Sequence, residues 1–156
     1  MFYLELAKEN CDDSAIQHWR DFTINFPINF KETFWSKEKG YLADCVDGSY
    51  KDFSIRPNMI FATSFEYSPI SAKIRQLIVE KVKKELLSSR GLRTLSPTDA
   101  RYKGHYYGNQ DERDRAYHNG TIWPWLIGAF SEGYLRIYSK EGVGFIKELY
   151  DGFESA

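Results

Sequence analysis

The chain has 156 residues, and its 21 Lys and Arg against 22 Asp and Glu give a formal net charge of −1 at pH 7. That balance creates no long-range field to attract a nucleic acid or an anionic membrane surface, so we expect neither partner. Hydrophobic residues make up 42% and charged residues 28%, which excludes disordered and fibrous classes. We predict one globular unit over residues 1–156 with no internal boundary.

The N-terminal segment and the cysteines indicate a cytoplasmic protein. The chain starts with Met1 and meets Glu5 without a preceding basic region, so residues 1–6 do not resemble a signal peptide. The longest apolar stretch, residues 116–131, is too short to span a bilayer. Cys11 and Cys45 form no closely spaced pair, which suits a reducing compartment.

In the first part of the chain, apolar spacing predicts two helices followed by irregular structure. Residues 2–10 resemble the end of a helix, and residues 12–14 supply capping side chains for a second one. Apolar positions then recur every three or four residues over 15–34, where Pro27 is expected to kink or divide the helix and Gly40 to end it. Residues 41–57 have no helical period and are predicted to be irregular, with a short strand at 41–46.

The remaining segments predict further helices joined by long loops. A short helix is expected at 58–66, and the pair Ser68-Pro69 is expected to start the next one, which ends at Gly91. Residues 94–119 are predicted to form a long, ordered loop. A strong helix is expected from Pro124 to Lys140, followed by a closing turn at 145–152.

No metal or organic cofactor is predicted. The three histidines, His18, His105 and His118, are scattered and form no cluster with the cysteines. No phosphate-binding glycine motif and no nucleophile elbow of the G-x-S-x-G type occurs.

Two polar segments carry residues suited to binding a sugar. Arg56 and Asn58 flank a rigid proline, and they either bind sugar hydroxyls or anchor a loop, which is the commoner role of arginine. The polar and aromatic segment 113–125 contains His118 and Trp123. An indole can stack on a pyranose ring, and the alternative is that these rings pack in the core.

Glu148 lies in a third segment of interest, residues 145–152. A carboxylate among the apolar side chains of this segment has its charged form disfavoured, which suits general acid or base catalysis. The alternative is an ordinary glutamate at the end of a helix, facing water.

Five blocks of the sequence, in order, resemble the C-terminal amylo-α-1,6-glucosidase domain of glycogen debranching enzymes. The family patterns are GYL-D-VDG, SIRPNQIFA, YGLRTL, Y-G-Y-G and RD-AYHQGTVWPWL. The corresponding blocks here are residues 40–48, 54–62, 91–95, 102–108 and 117–126. This chain has Met59 and Asn119 where the family patterns have glutamine.

The resemblance implies an all-α fold, a portion of an (α/α)6 barrel with its active site at one mouth. It implies inverting hydrolysis of α-1,6-glucosidic branch stubs, with release of glucose from glycogen or a limit dextrin. Inversion requires a carboxylic acid and a carboxylate on opposite sides of the scissile bond. The block 145–152 is similar to the family segment SISEIFDG, which makes Glu148 the candidate general base. Arg56, Asn58, His118 and Trp123 are the candidate glucose-binding residues, and we expect them to meet Glu148 at one mouth.

One departure from the family limits what this chain is expected to do alone. The family's general acid is an Asp in a Trp-Met-Asp motif, and this sequence contains no such motif. About five helices are predicted, fewer than half of the twelve in a closed barrel, so we interpret the chain as a fragment of the domain that is inactive alone. Apolar helix faces left without neighbours are expected to promote self-association. The alternative is a non-catalytic α-helical module for glycan binding or assembly, from a degenerate or split gene.

Overall fold

The computed structural model describes residues 2–154, with side chains through residue 152, and is mostly helical with three small antiparallel sheets. Its helices are α1 (Phe2–Glu9), α2 (Asp13–Phe34), α3 (Phe61–Ser64), α4 (Ala72–Glu85), α5 (Gln110–Tyr117), α6 (Leu126–Tyr138) and α7 (Val143–Glu154). Two 3₁₀ turns, Pro57–Ile60 and Ser139–Gly142, precede α3 and α7. The strands are β1 (Trp35–Ser36), β2 (Tyr41–Leu42), β3 (Cys45–Asp47), β4 (Tyr50–Asp52), β5 (Leu87–Ser88), β6 (Gly91–Arg93) and β7 (Ile122–Trp123).

The hydrophobic core lies between α4, α6 and the helical segment around α3. Ile78 and Val82 of α4 and Phe130 of α6 are completely buried, together with Ile60 and Leu92. The apolar spacing of α4 places these side chains on one face, as the sequence predicts. The predominantly helical character expected from the sequence is therefore confirmed, whereas the (α/α)6 barrel stays a prediction.

Helix α2 agrees with the sequence at its start and differs at its end. Asp12 caps it, because its side chain accepts a hydrogen bond of 3.0 Å from the amide of Ala15. Of the two outcomes expected at Pro27, division is wrong, since the helix is continuous from 13 to 34 and the ring contact between Phe26 and Phe30 spans the proline. A kink at Pro27 stays a prediction. The expected end at Gly40 is also wrong. The chain leaves the helix six residues earlier, and Gly40 (φ +76°) lies in the turn that joins β1 to β2.

Residues 41–57 contain more strand than the sequence predicts. The backbone of Asp44 leads into β3, which pairs with β4 in register Val46↔Lys51. The pairing β1–β2 forms a second hairpin at the end of α2. Strands of two or three residues are too short for alternation of apolar residues to be visible, which explains why the sequence predicts a single short strand at 41–46 instead of two hairpins.

Three further predictions about the helices also differ from the structure. Helix α4 starts after Ser71, whose hydroxyl accepts from the amide of Ile74, and not at Ser68-Pro69. The segment 94–119 is not entirely loop, because Asn109 and Glu112 form a capping box that starts α5. Residues 145–152 lie within helix α7 and do not form a closing turn.

Candidate active-site cleft

The candidate glucose-binding residues come together in one cleft of about 220 Å³. Four segments of the chain build it: the residue before β3, the start of the 3₁₀ turn at Arg56, the residue after β6, and the chain from the end of α5 to β7. The lining residues are Asp44, Arg56, Pro57, Asn58, Thr94, His118 and Trp123. The cleft therefore contains all four candidate sugar-binding residues, and it adds Asp44 and Thr94.

Arg56 connects its own segment to two others. Its Nη1 donates to the backbone carbonyl oxygen of Thr94 at 3.2 Å and to that of His118, and its Nη2 donates to Oδ1 of Asn119 at 2.9 Å. The side chain is 16% exposed. A rigid fork of donors that bonds to three acceptors positions a loop. The geometry thus favours the loop-anchoring interpretation of this arginine, whose guanidinium holds His118 at the edge of the cleft.

Asp44 is the one carboxylate among the residues that line the cleft. Its Oδ1 accepts a 2.8 Å hydrogen bond from Nδ2 of Asn58, and its Oδ2 lies 3.9 Å from Nε of Arg56. The side chain is 14% exposed. Burial raises the pKa of Asp44 above its ordinary value, an effect that outweighs the hydrogen bond from Asn58 and the charge of Arg56, both of which lower that pKa.

The Asp44–Asn58 hydrogen bond also orients the amide of Asn58. The residue is exposed, so it faces the solvent that a bound sugar would displace. With one amide proton donated to Asp44, the second proton and the carbonyl oxygen remain for a ligand, and an amide of this kind can both donate to and accept from sugar hydroxyls.

His118 and Trp123 form the aromatic wall of the cleft. Their ring centroids are 5.3 Å apart at an interplanar angle of 69°, and Tyr117 packs against both rings. His118 caps the C-terminus of α5, and Trp123 pairs with Leu92 of the adjacent strand. Trp123 is partly buried, and His118 is exposed. The indole is held in place by its neighbours while the imidazole remains accessible.

Gly91 brings strand β6 close to Trp123. Its φ of +139° lies in the region that favours glycine, and a Cβ at this position would lie 2.6 Å from the backbone oxygen of Trp123. The close approach permits the β6–β7 pairing that presents Trp123 to the cleft. The close approach of the two strands thus explains on steric grounds why a glycine occupies the first position of the GLRTL block.

The structure does not bring Glu148 into this cleft. The residue lies on α7 with its side chain exposed, and it is not among the residues that line the cleft. The role of Glu148 as the general base stays a prediction.

Sequence reasoning missed Asp44 and Thr94 as members of the site. Asp44 belongs to the GYLADCVDG block, in which it was one of several acidic residues, and nothing in its spacing distinguishes it from Asp47. The contact with Asn58 distinguishes it, and that contact joins residues 14 positions apart. Thr94 contributes through its hydroxyl, which accepts from the amide of Gly120, and through its carbonyl oxygen.

Within the described part of the chain, no group of three or more His, Cys, Asp or Glu side chains is placed to hold a metal ion. None of the helices described over residues 2–154 is long and apolar enough to cross a membrane.

Comparison with known proteins decides the family. A family model described as amylo-alpha-1,6-glucosidase matches residues 1–155. The chain belongs to the amylo-alpha-1,6-glucosidase family. The resemblance inferred from the five sequence blocks is confirmed.

A curated relative agrees with the assignment to the amylo-alpha-1,6-glucosidase family. The chain is similar to the glycogen debranching enzyme of Saccharomyces cerevisiae, with 31% identity over 100 residues, which is 58% of this chain. The match covers 6% of the length of the yeast protein.

Proposed function

We propose that this chain binds the terminal glucose of an α-1,6-linked branch stub in a glycogen-type glucan, as part of an inverting glucosidase. The observation that carries the proposal is the meeting of Asn58, His118 and Trp123 with Asp44 in one cleft. Amide, imidazole and carboxyl groups beside an indole match a ligand with hydroxyls on its edge and an apolar ring face. The family and the yeast relative support the glucan as the substrate class.

In the proposed site each residue has a separate role. Trp123 stacks on the sugar ring, and Asn58 donates to and accepts from hydroxyls. Asp44 holds Asn58 and accepts from a further hydroxyl, and Arg56 positions the loop that carries His118. These roles account for a cleft whose polar groups converge on a small volume.

Catalysis by inversion requires a second set of groups. The proposed general base is Glu148, because its segment 145–152 is similar to the family segment that carries the base. The base must activate a water molecule on the face of the sugar ring opposite the leaving group. The general acid protonates the glycosidic oxygen, a step typically worth about 10²–10⁴-fold in rate. The Trp-Met-Asp motif that supplies the acid in the family does not occur in this sequence. We therefore propose that the 156-residue chain binds the stub without hydrolysing it.

Binding measurements with a matched pair of variants test this function. Asn58→Ala should weaken the binding of a 6-α-glucosyl malto-oligosaccharide about 10-fold, because hydroxyl contacts and the partner of Asp44 are lost together. Asn29→Ala is the control, since Asn29 is exposed on α2 and lies outside the cleft. Equal affinities of the two variants would refute the assignment of the cleft.

A second candidate function is a glycan-binding module without catalysis in any context. The position of Glu148 outside the cleft favours it. The two candidates differ in glucose release by a longer polypeptide that also contains a Trp-Met-Asp segment. Release that depends on Glu148 supports the glucosidase, and its absence with normal sugar binding supports the module.

A further inference from the structure

A cavity of about 620 Å³ lies apart from the candidate active-site cleft, and the two have no lining residue in common. Most of its wall comes from residues 102–108, one of the five sequence blocks, which contributes nothing to the cleft. We refer to this cavity, lined by Arg93, Lys103, His105 and Glu112 among others, as the basic cavity. The proposed function gives it no role.

The pairing of β6 with β7 separates the basic cavity from the cleft. Arg93 lies opposite Ile122, and both residues line the cavity, whereas the adjacent residues Thr94 and Trp123 line the cleft. Successive side chains of a strand point to opposite faces, so the two strands present one face to each site. A ligand in the basic cavity therefore occupies a different place from a sugar in the cleft.

Two permanent cations line the basic cavity without an acidic partner. Within the part of the chain that the structure describes, neither Arg93 nor Lys103 forms an ion pair. Nη1 of Arg93 donates to the backbone carbonyl oxygens of Leu87 at 3.0 Å and Leu86 at 3.5 Å. These bonds position the guanidinium, while its Nε and Nη2 make no hydrogen bond to the described residues. Donors of both side chains thus remain for a ligand.

His105 and two tyrosines add hydrogen-bond donors and ring surface. The His105 ring is exposed and lies edge-on to Tyr107, with ring centroids 6.4 Å apart at an interplanar angle of 71°. Tyr107 is 74% exposed, and Tyr102 is half-buried. Imidazole and phenol groups donate hydrogen bonds, and a phenol ring can pack on the C–H groups of a sugar. The cavity therefore combines groups for an anion with a surface for a ring.

Glu112 is the one carboxylate among the residues that line the basic cavity. Its Oε2 accepts a 2.8 Å hydrogen bond from the backbone amide of Asn109, as part of the capping box that starts α5. One carboxylate against two permanent cations leaves the cavity positive, although the whole chain has a net charge of −1. A local positive charge of this size suits a small anion and not a polyanion, which requires an extended basic surface.

The charges and the volume together indicate the ligand. An arginine fork and a lysine ammonium group bind phosphate oxygens, whereas a neutral sugar would leave both cations without a counter-charge. A volume of about 620 Å³ lies in the range of sites for small organic molecules, and a bare phosphate would fill little of it. We propose that the basic cavity binds a monophosphorylated sugar, with its phosphate at Arg93 and Lys103 and its ring against Tyr107. The inference does not depend on the proposed function.

Nuclear magnetic resonance titration of the 156-residue chain with glucose 6-phosphate tests the proposal. Saturable shifts are expected at the His105 ring and the Lys103 amide. Inorganic phosphate should bind more weakly, because it lacks the ring, and glucose should not shift His105. Lys103→Ala should weaken glucose 6-phosphate binding about 5- to 20-fold, because a charge-assisted hydrogen bond is lost.

Glu112→Gln separates an electrostatic effect from a structural one. Glutamine also serves at this position of a capping box, so α5 should keep its start while the negative charge is removed. The substitution should strengthen glucose 6-phosphate binding about 2- to 5-fold. Lys84→Ala is the matched control for Lys103→Ala, since Lys84 is exposed on α4 outside the cavity, and it should change the affinity by less than about 2-fold.

Four results would overturn the inference. They are the absence of saturable binding of glucose 6-phosphate, equal affinities of Lys103→Ala and Lys84→Ala, equal affinities for inorganic phosphate and glucose 6-phosphate, and shifts at the Trp123 indole instead of the His105 ring. Asn58→Ala should leave glucose 6-phosphate binding within about 2-fold of the unsubstituted chain. Failure of the proposed cleft and failure of the basic cavity are therefore distinguishable.

Discussion

Replacement of Arg56 by alanine tests whether this residue anchors the cleft. The guanidinium bonds to Thr94, His118 and Asn119, residues 38, 62 and 63 positions away in sequence. Arg56→Ala removes all three bonds at once. We expect a loss of stability together with a loss of order at His118.

The magnitude follows from the number and the surroundings of these bonds. A hydrogen bond from a charged donor contributes about 1.5–3 kcal/mol, but contributions within one network are not additive. The acceptors also border an open cleft, so water can replace the lost donors. We therefore expect a decrease of about 2–4 kcal/mol in the free energy of unfolding. Arg56→Lys should lose most of the same amount, because an ammonium group cannot reproduce the fork.

The effect should also depend on pH. Arg56 lowers the pKa of Asp44, so its removal raises that pKa further. A carboxyl group whose pKa is higher in the folded state than in the unfolded state destabilises the fold at pH values above the folded-state pKa. It has no such effect at pH values below the unfolded-state pKa. Arg56→Ala should therefore cost more stability at pH 7 than in acid, where Asp44 is protonated in both states.

Urea unfolding followed by circular dichroism measures these changes. Arg90→Ala is the control, because Arg90 is exposed in the turn between β5 and β6 and should change stability by less than about 0.5 kcal/mol. A change in Arg56→Ala as small as that of the control would refute the anchoring role. In that case the sugar-binding interpretation of Arg56 would regain support.

Three further substitutions have defined outcomes. Because the pKa of Asp44 is raised in the folded state, the free energy of unfolding of the wild type should decrease as the pH rises from the ordinary pKa of an aspartate towards neutrality. Asp44→Asn should abolish the part of this decrease that Asp44 causes. A pH profile of urea unfolding that the substitution leaves unchanged would contradict the raised pKa. Gly91→Ala should cost about 1–3 kcal/mol in thermal unfolding because its Cβ meets the β7 backbone, whereas Gly144→Ala, with open space around it, should be neutral or slightly stabilising; equal effects would contradict the close approach. In a polypeptide that also contains a Trp-Met-Asp segment, Glu148→Gln should lower kcat by about 10²–10⁴-fold with sugar binding retained, and Glu141→Gln should not; near-wild-type turnover of Glu148→Gln would refute the general base.

The strongly periodic parts of the fold could be predicted from the sequence. The apolar positions of α4 and α6 repeat at helical spacing over three or more turns, and one face of each helix is buried, although Leu77 of α4 is 43% exposed. The boundaries were less accurate, because Ser68 and Ser71 offer equivalent capping side chains three residues apart. Only the packed structure selects Ser71.

The sequence contains a local signal for the start of α5, but the lack of an apolar stripe outweighed it in the prediction. The spacing of Asn109 and Glu112 is that of a capping box, yet the segment between 94 and 119 is polar and lacks an apolar stripe. Its helix buries a single residue, Ala116. A helix with so little buried surface leaves almost no periodic signal.

The candidate site depends on contacts that a sequence does not display. The motif blocks identified the candidate residues Arg56, Asn58, His118 and Trp123. That these residues lie in one cleft depends on packing between segments about 60 residues apart in sequence. Asp44 is distinguished as a member of the cleft by its hydrogen bond with Asn58, which the sequence does not reveal. Motifs identify residue types at short range, whereas the cleft is a product of the tertiary fold.

Chemical-shift mapping during titration with a 6-α-glucosyl malto-oligosaccharide tests the central claim most directly. We expect saturable shifts of the Asn58 side-chain amide, the His118 ring and the Trp123 indole. A larger cavity of about 620 Å³, lined by Tyr102 and His105 among others, provides an internal comparison. Shifts confined to that cavity, or no saturable shift at the three cleft residues, would contradict the proposal that this cleft binds the branch glucose.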